Sequence, residues 1–242
     1  MRCLNCFAWL THNLVEQKQR QPENAAKFRT SWQGIIQRMI DYELPPGEKW
    51  RQFELRAMGF RDFAGARPSG PLDPFRLAKF ANLLVVRFDQ IKGLSPEARE
   101  HLLGAASERW SGGACSRPLP DGRRIVILNP NHGRMRTNAT LMEEISHVFL
   151  GHQPSRLKVV AEGESGRTIS RDYRNVDEEA AYATGAAALV PFSTLRRLVL
   201  EGQTSLEIAR HFQVSRELVE YRLKVTRLWK AYRAAHLESA KP

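Results

Sequence analysis

The stretch that decides the fold is Thr140–His152, which reads T-L-M-E-E-I-S-H-V-F-L-G-H. Its apolar residues recur at spacings of three and four, which predicts an amphipathic helix over Thr137–Leu150. On such a helix Glu143 and His147 are four residues apart and project from one face. Glu144 lies beside them in the sequence and can reach the same small volume.

Two ligands one helical turn apart, with a glutamate directly after the first, form the His-Glu-x-x-His motif that zinc peptidases use to hold metal and activate water. Here Glu143 replaces the first histidine. The short motif alone is not specific, because such side chains are common on solvated helix faces. A metzincin pattern is excluded, since Leu150 and Gln153 occupy its glycine and third-histidine positions. A di-iron carboxylate site is also excluded, because Glu144–His147 is the only Glu-x-x-His motif in the chain.

A predicted strand and a second predicted helix flank this motif. The turn signal Asp121–Gly122 precedes an apolar run at Arg124–Leu128, which predicts a strand. Val176–Val190 is rich in alanine and is followed by Pro191, which predicts a helix that ends there. The strand could be an exposed edge that aligns an extended substrate, or an interior strand of the sheet.

This arrangement resembles the core of the ImmA/IrrE family of metallo-endopeptidases, in which a strand, an asparagine-containing turn, arginines and a threonine lead into the metal-binding helix. The resemblance runs from roughly residue 50 to residue 225 and rests, besides the motif and N-P-N-H-G-R-M-R-T-N-A-T before it, on segments at Glu54–Phe60, Gly70–Phe80, Asp177–Pro191 and Ile208–Leu223. It implies an α+β fold, with a zincin-like metallopeptidase domain that contains a small sheet and helical extensions at both ends.

The resemblance and the charge pattern divide the chain into three parts. We expect a helical N-terminal extension over residues 1–69, a zincin-like metal-binding domain over residues 70–191 and a helical, helix-turn-helix-like segment over residues 192–242. The formal net charge of +11 comprises +4 in residues 1–70, +2 in residues 71–191 and +5 in residues 192–242. Because the middle is nearly neutral, the charge indicates docking surfaces around a metal site and is weak evidence for a nucleic-acid enzyme.

The resemblance also implies roles for individual residues. His147 matches the family's second histidine ligand, and Glu144 matches its catalytic glutamate. Glu143 occupies the position of the first ligand. Glu178 best matches the third ligand, and Glu179 is the alternative if the register shifts by one residue.

Glu143 changes the charge of the implied site. Two histidines and one glutamate leave Zn²⁺ with one positive charge, whereas Glu143, His147 and Glu178 make the site neutral. A less positive ion lowers the pKa of its bound water less, and carboxylates favour harder ions. We therefore expect the site to bind Zn²⁺, with Mn²⁺ or Fe²⁺ as alternatives. The residues support metal binding more strongly than they support full peptidase activity.

Three further residues are candidates for supporting the ligands or contacting the substrate, namely His152, Glu179 and Tyr182. His152 can equally be an ordinary polar residue just past the helix end. With Tyr173, both His152 and Tyr182 are candidate stabilisers of an oxyanion. Cys3-x-x-Cys6 lacks a second pair of ligands and is interpreted as ordinary reduced thiols.

The tail from Phe192 is expected to contain two or three amphipathic helices. Thr204–Val225 fits a helix-turn-helix with its turn around Gln213–Ser215, or a helical pair that packs on the metal domain. In the first case the phosphate contacts would come from Arg216, Arg222, Lys224 and Arg227.

These features together predict a metal-dependent endopeptidase-like regulator that cleaves or inactivates a DNA-binding repressor, a substrate class that the resemblance implies. The partner would be a helix-turn-helix protein, and nucleic acid is a further candidate partner through the basic C-terminal segment. The alternatives are a weakened pseudopeptidase that binds a repressor without cleavage, and a DNA-binding regulator that uses residues 204–225. Three cysteines and short apolar runs predict a cytoplasmic protein without a membrane partner.

Overall fold

The computed structural model describes residues 43–86, 88, 91, 95–114, 118–152, 159–160, 167–168 and 175–238. The chain divides into two compact units, residues 1–43 and 44–242, and the elements described below belong to the second. The helices expected before residue 43 lie outside the described residues, as do Cys3, Cys6 and Tyr173.

Helices and strands of this unit alternate before a purely helical C-terminal part. In chain order they are α1 (Glu48–Phe63), α2 (Pro74–Phe80), β1 (Leu83–Val86), α3 (Pro96–Leu103), β2 (Gly112–Ala114), β3 (Arg124–Leu128), α4 (Arg134–Phe149), β4 (Val159–Val160), β5 (Arg167–Thr168), α5 (Asn175–Leu189), α6 (Phe192–Leu200), α7 (Ser205–Phe212), α8 (Arg216–Val225) and α9 (Trp229–Glu238). The α+β fold with helical segments on both sides of a small sheet confirms the expected fold class. None of the described helices has the length and apolar character needed to cross a membrane.

The sheet that accompanies the motif helix has three short strands in the order β1-β3-β2. β3 runs parallel to β1, with Arg124 opposite Leu83, and antiparallel to β2, with Leu128 opposite Gly112. Among the described strands β3 is therefore interior, and the alternative that it is an exposed edge strand is wrong. β2 provides an edge instead.

The apolar faces of β3 and α4 enter one core. Val126 of β3 is fully buried, as are Leu141, Met142 and Ile145 of α4. Because these three helix residues recur at one- and three-residue spacings, they occupy one side of α4 and leave the opposite side for polar groups. The sequence pattern thus fixes which face of the motif helix turns inward.

Helix α5 packs unusually closely on α4 because its contact face consists of small residues. A Cβ atom at Gly185 would lie 3.3 Å from the backbone oxygen of Met142 and 3.3 Å from Oγ of Ser146. The neighbouring alanines, among them Ala181 and Ala188, are fully buried. This close packing fixes the first turn of α5 beside the last two turns of α4.

The described C-terminal part contains four helices, whereas the sequence predicted two or three. Thr204 caps α7 in a reciprocal capping box with Glu207, and the Ser215 hydroxyl accepts a hydrogen bond from the backbone N–H of Leu218 at the start of α8. Between the two helices Gln213 has a left-handed backbone, with φ 58°. The predicted turn and both of its helices are therefore present.

A buried ion pair connects this C-terminal part to α1. Nη2 of Arg222 in α8 lies 2.5 Å from Oε2 of Glu54 in α1, and both side chains are only 1% exposed. The pair is completed by backbone groups where α5 ends and α6 begins. The Phe192 N–H donates to Glu54, and Nε of Arg222 donates to the carbonyl of Val190. The prediction that Arg222 contacts phosphate is therefore wrong, because its guanidinium group is buried and paired with Glu54 inside the protein.

Replacing Arg222 with alanine is expected to lower the free energy of unfolding by about 3–5 kcal/mol, because the Glu54 carboxylate stays buried without its partner. Arg216→Ala is the matched control on the same helix. Arg216 pairs with Glu220 at the surface, and removing such a pair costs at most about 1 kcal/mol. Urea denaturation followed by circular dichroism measures both variants. Equal and small losses would contradict a structural role for the buried pair.

Candidate metal centre

Three side chains from α4 and α5 converge at the point where these helices pack together. Glu143 and His147 lie one turn apart on α4, and Glu178 lies in the first turn of α5. One ligand atom from each residue falls within 4.8 Å of the other two. Nε2 of His147 is 3.7 Å from Oε2 of Glu178. The structure thus brings together the three residues that the sequence suggested as ligands.

The carboxylate of Glu143 is crowded by other acidic groups. Burial, followed by the charges of Glu178 and Glu144 and a hydrogen bond with Glu178, raises the pKa of Glu143 to about 7. Carboxylates held this close repel one another when both are ionised. A divalent cation between them would remove that repulsion, so the electrostatics of the cluster favour a cation.

The donor set fits a small divalent ion. Two carboxylates and one imidazole are ligands for Zn²⁺, and also for the harder ions Mn²⁺ and Fe²⁺. Bonds of about 2.1 Å in tetrahedral geometry separate ligand atoms by about 3.4 Å. Side-chain movements on the order of 1 Å would bring these three groups to that spacing.

The neighbouring acidic residues lie in different environments. Glu144 is half-buried next to Glu143, and its charge contributes to the raised pKa of that residue. Glu179, the alternative third ligand, instead forms an exposed ion pair with Lys49 of α1, with Nζ 2.5 Å from Oε1. The register of α5 therefore places Glu178, and not Glu179, in the three-residue cluster.

One tyrosine lies beside the cluster, and a second packs against the first. Tyr182 follows Glu178 by one turn of α5, and its ring makes an edge contact with Tyr221 of α8 at 4.9 Å between centroids. Burial, followed by the charge of Glu143, raises the pKa of Tyr182, and burial raises the pKa of Tyr221 to about 12. Both phenols are therefore protonated at neutral pH. Tyr221 was not among the residues suggested by the sequence.

His152 lies against the imidazole of His147. The two Nδ1 atoms are 3.0 Å apart, and Nε2 of His152 is 3.8 Å from Oδ1 of Asp177. Sequence reasoning considered His152 but named Asp177 only as the first residue of the segment Asp177–Pro191. The sequence did contain a signal for this contact, because Asp177 directly precedes Glu178. Adjacent residues at a helix start can both reach a neighbouring helix.

The edge strand β2 runs against the motif helix. A Cβ atom at Gly112 would lie 2.8 Å from Cγ2 of Thr140, which stands one turn before Glu143 on α4. Only a residue without a side chain can approach the helix this closely. The sheet edge is thus held next to the helix that carries the cluster.

Residues 107–224 match the family model described as Peptidase_M78, the IrrE N-terminal-like domain. The chain carries an ImmA/IrrE-family peptidase domain. No curated protein matches the chain with significant similarity. The matched span includes β2, β3, α4 and α5, and therefore every member of the ImmA/IrrE domain's candidate metal cluster. The resemblance suggested for Glu54–Phe60 and Gly70–Phe80 lies outside this span and stays a prediction.

Without metal, Glu143 is expected to destabilise the ImmA/IrrE domain as the pH rises. Its pKa of about 7 in the folded state lies above the ordinary value of 4.5, so the folded state binds the proton more tightly. Stability from this group is full below pH 4.5 and is lost as the pH rises through 7. At pH 8 in the presence of a chelator, Glu143→Gln should therefore be more stable than the wild type by about 1–3 kcal/mol.

Urea denaturation between pH 5 and pH 8 measures this difference. Glu179→Gln is the control, because that carboxylate is exposed and paired with Lys49. Parallel stability curves for the wild type and Glu143→Gln would show that Glu143 is not strained in the metal-free protein.

Proposed function

We propose that the ImmA/IrrE domain is a metal-dependent endopeptidase that regulates transcription by cleaving a DNA-binding repressor protein. The observation that supports this most directly is the convergence of Glu143, His147 and Glu178 beside a further carboxylate, Glu144, inside the span that matches a peptidase family. The repressor as substrate rests on the family resemblance. We place its action in the cytoplasm because an odd number of cysteines suits a reducing compartment.

In this proposal Glu143, His147 and Glu178 hold the ion. The ion would supply Lewis-acid catalysis to the scissile carbonyl and to the attacking water. Glu144 accepts the proton of that water and transfers it to the leaving amine, the role of a general base that then acts as a general acid. Glu144 directly follows the ligand Glu143 on α4. One side chain in this position can serve both the proton transfer from water and the proton transfer to the leaving amine.

The edge strand β2 is the surface that we propose for the substrate backbone. An extended peptide that adds to the side of β2 away from β3 would run next to α4, since Gly112 contacts this helix at Thr140. Tyr182, one turn beyond Glu178, lies within electrostatic reach of Glu143 and can donate a hydrogen bond to a developing oxyanion.

Two alternatives remain distinguishable by experiment. A pseudopeptidase that sequesters a repressor is favoured by the neutral charge of the ligand set. A DNA-binding regulator is less well supported, because Arg222 is buried and Arg216 is paired with Glu220. Lys224 and Arg227 are exposed and remain available to phosphate.

Metal content tests the ligand assignment. The purified wild type is expected to bind about one divalent ion per chain, and His147→Ala to lose it, because two carboxylates alone do not hold the ion tightly. His211→Ala is the control, since that imidazole contacts the backbone oxygen of Ser69 and is not a member of the three-residue cluster. Elemental analysis after dialysis measures both variants. Equal and negligible metal in the wild type and in His147→Ala would refute the site.

Cleavage of a co-expressed repressor tests the chemistry. Glu144→Gln is expected to retain metal but to slow cleavage by roughly 10²–10⁴-fold, the contribution of a general base. The isosteric amide keeps the shape of the site, so a loss of activity reports on proton transfer. Repressor inactivation that persists without proteolysis in this variant would favour the pseudopeptidase.

A further inference from the structure

We propose that His152 and Asp177 form a relay that fixes the tautomer and the orientation of His147, and that the C-terminal turn of α4 is built to create it. This inference rests on the proposed function, because it takes His147 to be a metal ligand. It assigns His152 and Asp177 as positioning residues.

The turn after α4 brings His152 back over the helix. Gly151 has a left-handed backbone with φ 69°. The Gly151 N–H donates to the carbonyl of Val148 at 3.1 Å, and the His152 N–H donates to the carbonyl of His147 at 3.0 Å. This pair of bonds is the Schellman motif, which ends many helices.

The Schellman motif has a geometric consequence for side chains. The residue after the glycine lies over the residue five positions earlier, and in Schellman motifs these two frequently make an apolar contact. Here the same positions are His152 and His147, with ring centroids 5.1 Å apart and Nδ1 atoms 3.0 Å apart. An ordinary helix-ending motif has thus been used to place one imidazole against another.

The hydrogen bond between the two rings sets the protons. If Nε2 of His147, which faces Glu178, binds the ion, the proton of this neutral ring is on Nδ1. Nδ1 of His147 then donates to Nδ1 of His152, which must be unprotonated. The proton of His152 is consequently on Nε2, which faces the carboxylate of Asp177 at 3.8 Å. The hydrogen bond between the rings sets the tautomer of His152, and the negative charge of Asp177 favours the same tautomer.

The surroundings favour an ordered relay. The side chains of His147, His152 and Asp177 are only 5%, 11% and 17% exposed. Both ring nitrogens of His152 are directed at other groups, so His152 is not a further ligand. Because Asp177 and Glu178 are consecutive, the first turn of α5 supplies both a ligand and the carboxylate that ends the relay.

Affinity for Zn²⁺ and Co²⁺, measured on the full chain by chelator competition, tests the relay without a substrate. His152→Ala is expected to weaken binding about 10–100-fold, the usual effect of losing a partner that orients a metal-binding histidine. His152→Gln should restore most of this loss, since its amide can accept from His147 and donate to Asp177. Asp177→Ala should weaken binding by a smaller factor, and Glu179→Gln is the matched control on the same helix turn.

The absorption spectrum of bound Co²⁺ provides a second readout, because it responds to ligand geometry and not to overall stability. A shifted spectrum in His152→Ala that returns in His152→Gln supports the relay. Wild-type affinity and an unchanged spectrum in His152→Ala overturn the relay but leave the metal site standing. A wild-type protein that binds neither ion overturns the proposed function and the relay together.

Discussion

The close contact between α4 and α5 at Gly185 is the constraint on which the candidate metal centre depends. His147 and Glu143 come from one helix and Glu178 from the other, so the distance between the helices determines the distance between the ligand atoms. A Cβ atom at Gly185 would already meet the backbone of Met142 at 3.3 Å. The candidate metal centre therefore requires the small residues on this face of α5, because larger residues would separate the ligands.

Local sequence patterns predicted the helices and strands well. The features that they did not predict depend on packing between residues far apart in the chain. The strand Arg124–Leu128 follows from an apolar run after a turn signal, and the motif helix follows from three-to-four spacing. Both patterns depend only on neighbouring residues. The sheet order that makes β3 interior depends on partners far away in the chain. Arg222 illustrates the limit most clearly, because a charged residue in an amphipathic tail looks solvated until Glu54 is found 168 positions earlier.

For the site, the sequence suggested the three clustered side chains and His152, but it assigned no role to Asp177. Glu143 and His147 could be paired by helix periodicity, and the family resemblance supplied Glu178. Asp177 could not be assigned, because its approach to His152 needs both the turn at Gly151 and the packing of α5. The crowding that raises the pKa of Glu143 also depends on this packing. The close carboxylates cost stability in the metal-free protein at the position where we propose that a cation binds, a common conflict between stability and function.

The buried ion pair between Glu54 and Arg222 also sets the limits of the folding unit. The family match begins at residue 107, after α1, yet it ends at residue 224 in α8, which needs α1 to neutralise its guanidinium group. A fragment cut to the matched span would lack the carboxylate that pairs with Arg222 and also the core residues Ala57 and Phe60 of α1. The smallest piece of this chain that can fold well is therefore larger than the piece recognisable by its sequence, and it has to extend at least as far back as the helix that carries Glu54.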